Sequence, residues 1–298
     1  MGIAIIIAGI VTVYFIAVYF TAGYLMAVNI INPKKRSLTK ALKYELVIKK
    51  IPESATMHPF IELYINNGRG QTLSARYFKS DSDKFVLLLH GLNSSSIGML
   101  GYADLFIGRG YNVIVPNHIR SGISDGKWVT YGYYESRDAL LWIDKIYSIN
   151  PLATIGIMGE SMGGSTALMT AANFDKAAFC IDYCGYSSMS SVIKDILRSR
   201  SKLLVAMLPA IRLFIKLLAR FDINDVNPYK DAKNIKCPVL VLHSKADKLV
   251  KYYHSEVIIN NLNNYRHICF ENSGHGLSLS VYREEFTKAM YEFLNENY

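Results

Sequence analysis

Ile155 to Met158 form a short apolar run that passes straight into Gly159-Glu160-Ser161-Met162-Gly163, and small residues from Ser165 to Ala172 follow. That order is strand, sharp turn, helix, with a serine at the tip. Glycines two before and two after Ser161 clear the side chains from a turn too tight to hold them, so the serine is lifted out on strained backbone. Its hydroxyl then faces a pocket. The amide of Met162, at the first helical position, points where a developing oxyanion would sit. A bare Gly-x-Ser-x-Gly match arises by chance in roughly one chain in ten of this length, so the strand before it and the helix after it carry the specificity. The competing reading is an ordinary strand-to-helix turn.

The rest of the chain agrees with a strand and a helix in alternation. Phe60 to Ile65 and Thr72 to Phe78 alternate apolar and polar residues around Asn66-Asn67-Gly68, which predicts a hairpin. Lys84 to Leu89, Tyr111 to Val115, Thr154 to Met158, Ala177 to Ile181, Pro238 to Leu242 and His267 to Phe270 read as buried strands. Helical patterns lie between them, at Ile97–Ile107, Tyr134–Tyr147, Met162–Ala172, Tyr252–Asn260 and Ser280–Leu294. The economical architecture is an α/β fold: a mostly parallel sheet with helices on both faces. One stretch breaks the alternation. From Tyr186 to about Pro228 a helical insertion, interrupted by Pro209, follows the Ala177–Ile181 strand. Sites in such sheets form at the C-terminal ends of strands, so the insertion is expected to cover the pocket as a lid. Its bland alternative is extra packing helices.

Residues 2 to 32 carry no charge and Ile3 to Ile31 are overwhelmingly apolar. About 20 helical residues cross the hydrocarbon core, so residues 1–32 are long enough for a transmembrane anchor. A cleaved signal peptide is disfavoured by the missing basic n-region and the length of the run. Lys34, Lys35, Arg36, Lys40 and Lys43 follow directly, which places the body in the cytoplasm by the positive-inside rule. Residues 33–58 read as a basic juxtamembrane linker and residues 59–298 as the main domain. The net charge of +9 is concentrated in Pro33 to Lys50 and in Ser191 to Arg220, each with seven Lys/Arg against one acid, leaving the rest acidic. Nucleic-acid binding therefore has little support, and an anionic membrane surface suits the two basic stretches better. Cys180, Cys184, Cys237 and Cys269 make no Cys-x-x-Cys pair, so free thiols are expected, with no metal site and no disulfide framework.

A serine hydroxyl needs a base to take its proton, and the base needs an orienting acid. Of seven histidines, His275 alone lies on a glycine-flanked loop, Ser273-Gly274-His275-Gly276, at the end of a strand facing the pocket. Asp247 follows the preceding strand, which puts Ser, Asp and His on three strand ends in chain order. Asp182, ending the Ala177–Ile181 run, competes for the same role. A second oxyanion donor is expected after Lys84–Leu89, where His90-Gly91-Leu92-Asn93 offers the amide of Leu92 with Gly91 allowing close approach. His90 is expected to brace that loop. Glu160 has no expected catalytic role, because neighbours on a sharp turn point apart.

Taken together, His90-Gly91, Arg120 to Gly126, Tyr131-Gly132 with Glu135 and Asp138, Gly159 to Gly163, Asp247 and Gly274-His275 resemble the α/β-hydrolase superfamily. The closest likeness is to bacterial membrane-anchored members near the monoglyceride-lipase, serine-aminopeptidase-like and prolyl-oligopeptidase-like groups. The resemblance covers Phe60 to the C-terminus. It implies an eight-stranded sheet, a Ser161–Asp247–His275 triad, Leu92 and Met162 as oxyanion donors, and a lid between the sixth and seventh strands. One departure concerns the Arg120 motif, where Asn117 stands three residues upstream in place of the usual aspartate, with His118 beside it. The expected activity is hydrolysis of small or lipid-derived carboxylic esters through an acyl-enzyme on Ser161, without metal or cofactor. A peptidase or amidase using the same triad is the nearest rival, and a non-catalytic membrane-tethered interaction module the distant one. The expected partners are a small-molecule or lipid ester and the membrane, through the N-terminal helix and the basic lid.

Overall fold

The computed structural model describes residues 1–297, and its centre is an eight-stranded sheet in the order β1-β2-β4-β3-β5-β6-β7-β8. The strands are β1 (Ile61–Asn66), β2 (Thr72–Phe78), β3 (Lys84–Leu89), β4 (Asn112–Pro116), β5 (Thr154–Glu160), β6 (Cys180–Tyr183), β7 (Val239–Ser244) and β8 (Tyr265–Phe270). β1 and β2 form the expected hairpin and pair antiparallel, as do β2 and β4, while the rest of the sheet is parallel. The helices are α1 (Gly2–Ile31), α2 (Leu38–Val47), α3 (Leu100–Ile107), α4 (Glu135–Ile149), α5 (Met162–Ala171), α6 (Met189–Arg200), α7 (Leu208–Ala219), α8 (Pro228–Asp231), α9 (Tyr253–Ile259), α10 (Ser278–Val281) and α11 (Arg283–Asn297).

Alternation along the buried strands splits the core into two layers. Val86, Leu88, Met158, Ile181, Leu240 and Leu242 face Tyr102 and Phe106 of α3 and Phe286, Met290 and Phe293 of α11. Phe85, Leu87, Ile155, Ile157, Val239 and Val241 face Trp142 and Ile146 of α4, Leu168 of α5 and Ile258 of α9. Burying the sheet on both faces is what lets its central strands be apolar throughout. The same parallel direction brings the loops after β3, β5, β7 and β8 to one edge, where the site is built.

Two segments differ from expectation. Residues 33–58 are part of the domain, not a free linker. Ala41, Glu45, Lys49, Ile51 and Ala55 are buried, and a side chain on Gly101 of α3 would press against Ile51. Ser37 caps α2 through the Lys40 amide. The insertion is indeed two helices, α6 and α7, but a 3-10 segment (Lys202–Met207) joins them. Pro209 sits in the first turn of α7, where its missing N–H costs nothing, so it opens a helix and bends none.

α7 rests on the N-terminal helix. Gly23 of α1 lies directly on Ala210, and Phe214 stands edge-on to Phe20 and Tyr24. The Tyr19 hydroxyl donates to the Ala206 carbonyl at 3.0 Å. Ala27 and Ile31 are fully buried with Ile211 and Ile215 in a third apolar cluster. Two of the basic residues of α7 are partly neutralised within the chain: Arg212 holds Asp222 with two hydrogen bonds, at 2.7 and 2.8 Å, and Lys216 stands 3.8 Å from the same carboxylate.

Candidate active site

Ser161 follows β5 with φ 58 and ψ −118, a conformation that favours glycine, and its amide donates to the Tyr183 carbonyl at 2.8 Å. The flanking glycines are needed sterically. A Cβ on Gly159 would overlap the backbone of Gly163, and one on Gly163 would overlap the Leu89 carbonyl. The turn therefore packs against the end of β3 as tightly as backbone allows.

His275 reaches over this turn from the loop after β8. Its Nε2 lies 2.7 Å from Ser161 Oγ and its Nδ1 lies 2.6 Å from Asp247 Oδ2. An ionised carboxylate only accepts, so Nδ1 carries the proton and Nε2 is left as an acceptor for the serine hydroxyl. Asp247, on the loop after β7, is buried, and its Oδ1 accepts from the amides of Leu249 and Val250 at 2.9 and 3.0 Å. Burial pushes its carboxyl up, but His243 and His275 outweigh burial and hold it well below the usual carboxylate range. His243 stands 3.5 Å away while its Nε2 donates to the Val250 carbonyl at 2.9 Å.

Asp182, the competing acid, makes no hydrogen bond to His275. One oxygen accepts from the Gly185 amide at 3.0 Å, and the other is buried without a partner among the described residues. Burial raises this carboxyl to about 7, with nearby His243 and the Gly185 hydrogen bond only partly offsetting it. Geometry separates the two aspartates.

The amides of Leu92 and Met162 are both uncommitted to hydrogen bonds among the described residues. The loop carrying Leu92 approaches the serine closely, since a Cβ on Gly91 would stand 3.3 Å from Ser161 Cβ. His90 braces this loop as expected: its Nδ1 donates to the Gly91 carbonyl at 2.8 Å and its Nε2 accepts from the His118 amide at 3.1 Å. Burial, and then His118, push His90 well below its ordinary range, which keeps it neutral for both contacts. Asn117 serves the same region by accepting from the Ser96 amide and donating to Ser74 Oγ, at 2.8 and 2.9 Å. An amide can do both, where an aspartate could only accept.

Sequence reasoning missed the surroundings of Glu160. Its carboxylate accepts from Lys49 Nζ at 2.9 and 2.6 Å and from the Tyr102 hydroxyl at 2.6 Å. A Cβ on Gly276 would stand 3.1 Å from the same carboxylate, so Glu160 is wedged against the loop carrying His275. Lys49 also lies 3.6 Å from Glu45, whose carboxyl burial raises to about 7 despite that lysine. Nothing local marks Lys49; only the fold brings residues 111 positions apart together.

These groups line a cleft of about 280 Å³ that includes Arg36, Tyr44, Leu249, Ser161 and His275. Cys184, Asp247 and His275 bring potential metal-ligand atoms within 4.8 Å. Burial, then Glu160, push the Cys184 thiol well above its ordinary range, however, and a protonated thiol is a poor ligand. The arrangement suits proton transfer better than metal binding.

The fold and the site define an α/β-hydrolase. The profile of the prolyl oligopeptidase family matches residues 102–298, and the chain belongs to that family and is a hydrolase. A Bacillus subtilis (strain 168) protein, YqkD, described as uncharacterized, is 31% identical over 224 residues, 72% of each chain. Human monoglyceride lipase is 28% identical over 129 residues, 42% of each chain. Among solved structures, the Pyrococcus furiosus esterase Pf2001 superposes with a TM-score of 0.68 at 21% identity, over 82% of this chain and 95% of its own.

Proposed function

We propose that the protein is a membrane-anchored serine hydrolase that cleaves carboxylic esters. The observation carrying this reading is the unbroken chain of hydrogen bonds from Ser161 through His275 to Asp247, at 2.7 and 2.6 Å. In the acylation step His275 Nε2 takes the Ser161 proton as Oγ bonds to the ester carbonyl carbon. The oxyanion that develops accepts from the amides of Leu92 and Met162. Collapse breaks the bond to the leaving alkoxide, which His275 protonates. Water then gives a proton to the same Nε2 as it attacks the acyl-enzyme, and His275 returns that proton to Oγ as the bond to Ser161 breaks, releasing the carboxylic acid and restoring Ser161. Asp247 stays ionised throughout, holding the imidazole tautomer and stabilising its cationic form.

Ester cleavage is favoured by the likeness to a lipase and an esterase, while the name of the family favours a peptide bond as the second reading. The same reading keeps α1, which is long and apolar enough to cross a membrane, as an uncleaved anchor with the body on its basic, cytoplasmic side. Labelling with a fluorophosphonate probe, and hydrolysis of p-nitrophenyl esters against matched anilides, test the chemistry. Ser161→Ala and His275→Ala are each expected to abolish nearly all turnover, with the double variant losing little more, and Asp247→Asn to cost on the order of 10⁴ in kcat. Undiminished labelling of Ser161→Ala would remove the nucleophile, and anilides cleaved faster than esters would move the reading to an amidase.

A further inference from the structure

The cleft at Ser161 does not end there. Arg36, Asn93 and Ser94 line it and also line a second chamber of about 370 Å³, so the two adjoin. The outer chamber is walled by Lys35, Arg36 and Arg120, with Ser37, Asn93, Ser94 and Ser121 between them, and no carboxylate lines it. Among the described residues none of these three cations is in an ion pair. The Arg36 guanidinium carbon stands over the Tyr44 ring, 4.4 Å from its centroid, and the Arg120 guanidinium is set by a 2.8 Å hydrogen bond to the Pro33 carbonyl. Arg120 itself has φ 66, held by its amide donating to the Asp125 carbonyl. Three cations outside any ion pair, only Arg36 of them feeling a nearby carboxylate, that of Glu45, converge with hydroxyl and amide groups on one concavity and form a receptor for a multiply charged anion.

Building on the ester reading above, we propose that this outer chamber binds the phosphate of an acyl ester whose carbonyl lies at Ser161. The substrate class is then a phosphate-bearing acyl ester, of which a monoacylglycerol phosphate is the simplest member. The phosphate takes no part in the chemistry. Water and the acyl C–O bond are consumed, and a fatty acid and a glycerol phosphate leave. The position in the fold agrees with this class. Pro33 to Arg36 follow directly on α1, so an anchored chain keeps the chamber near a surface that carries such lipids, with the ester group in the adjoining cleft.

The full-length protein in neutral detergent micelles, at fixed ionic strength, is given 1-oleoylglycerol and 1-oleoylglycerol 3-phosphate. The phosphate ester is expected to have at least a tenfold higher kcat/KM, carried mainly by KM. Arg120→Gln is expected to reduce that ratio by roughly tenfold. Lys35→Gln, at an exposed position where folding is not at stake, is expected to reduce it by a few-fold. Equal kcat/KM for the two esters, or a ratio unchanged in both variants, overturns the subsite. Inhibition by inorganic phosphate without any preference between the esters also overturns it, in favour of a site for the free anion. Fluorophosphonate labelling of each sample keeps the ester reading separate, since a protein that labels and hydrolyses the neutral ester retains that reading whatever the ratio.

Discussion

At Ser161 the chain accepts a backbone conformation that a non-glycine residue adopts only at a cost of about 1 to 3 kcal/mol. The Tyr183 carbonyl and the glycine packing against β3 hold it there. Ser161→Gly is therefore expected to melt higher than Ser161→Ala, by about 1 kcal/mol or more, although neither turns over substrate; equal melting temperatures would show that the turn is relaxed. Asp182 carries strain of another kind. Its carboxyl is raised from an ordinary 3.8 to about 7, so the protonated form belongs to the folded state. The stability it contributes is full below about pH 4 and is lost as pH rises through 7. Asp182→Asn imitates the protonated form, so its melting temperature relative to the parent protein is expected to rise between pH 5 and pH 8. The size is about 2 kcal/mol, or several degrees. A pH-independent difference would mean that Asp182 is ionised throughout.

Between elements, the contact that matters most to the site runs from the end of α2 to the end of β5. Lys49 is buried between Glu45 and Glu160, and Glu160 in turn touches the loop of His275. Removing the lysine leaves two carboxylates with little water and only the more distant Arg36, at a cost of about 3 to 5 kcal/mol. Lys49→Met is expected to show that loss and a lower kcat, and Lys49→Met with Glu160→Gln to regain most of both. A double variant no better than the single one would mean that the lysine acts by filling space. The contrast with the hairpin is instructive. Asn66-Asn67-Gly68, the apolar strands and the serine turn were legible because each is a local pattern with a period or a turn residue behind it. Ser161, Asp247 and His275 were legible because parallel strands carry their loop residues to one edge. Lys49 was not, since a short helix with four charged neighbours reads as solvated until another element covers it. The start of α7 was misplaced for a related reason: a proline reads equally as a break and as a first turn, and only the capping geometry distinguishes them.

For the whole molecule, α1 is two things in one helix. Up to Val18 its residues are exposed, whereas from Tyr19 to Ile31 it docks on the insertion. The Ile31 carbonyl accepts from the Val129 amide at 2.9 Å, and the Ile30 carbonyl from the Tyr131 hydroxyl at 3.0 Å. A chain beginning at Tyr19 is therefore expected to stay monodisperse and to hydrolyse soluble esters. One beginning at Lys34, which strips the apolar face of Ala210, Ile211 and Phe214, is expected to aggregate or require detergent. Equal behaviour in size-exclusion chromatography would show the docking to be dispensable. On the anchored reading proposed above, the docking of α1 on α7 holds the insertion helices, with Leu203, Leu213 and Leu217 outward, beside the leaflet. If its ester is a membrane lipid, as proposed above, such an enzyme is expected to meet its substrate by lateral diffusion in a plane. Its rate follows the mole fraction of ester among the lipids, and diluting that ester with inert lipid slows it even when the bulk concentration is unchanged.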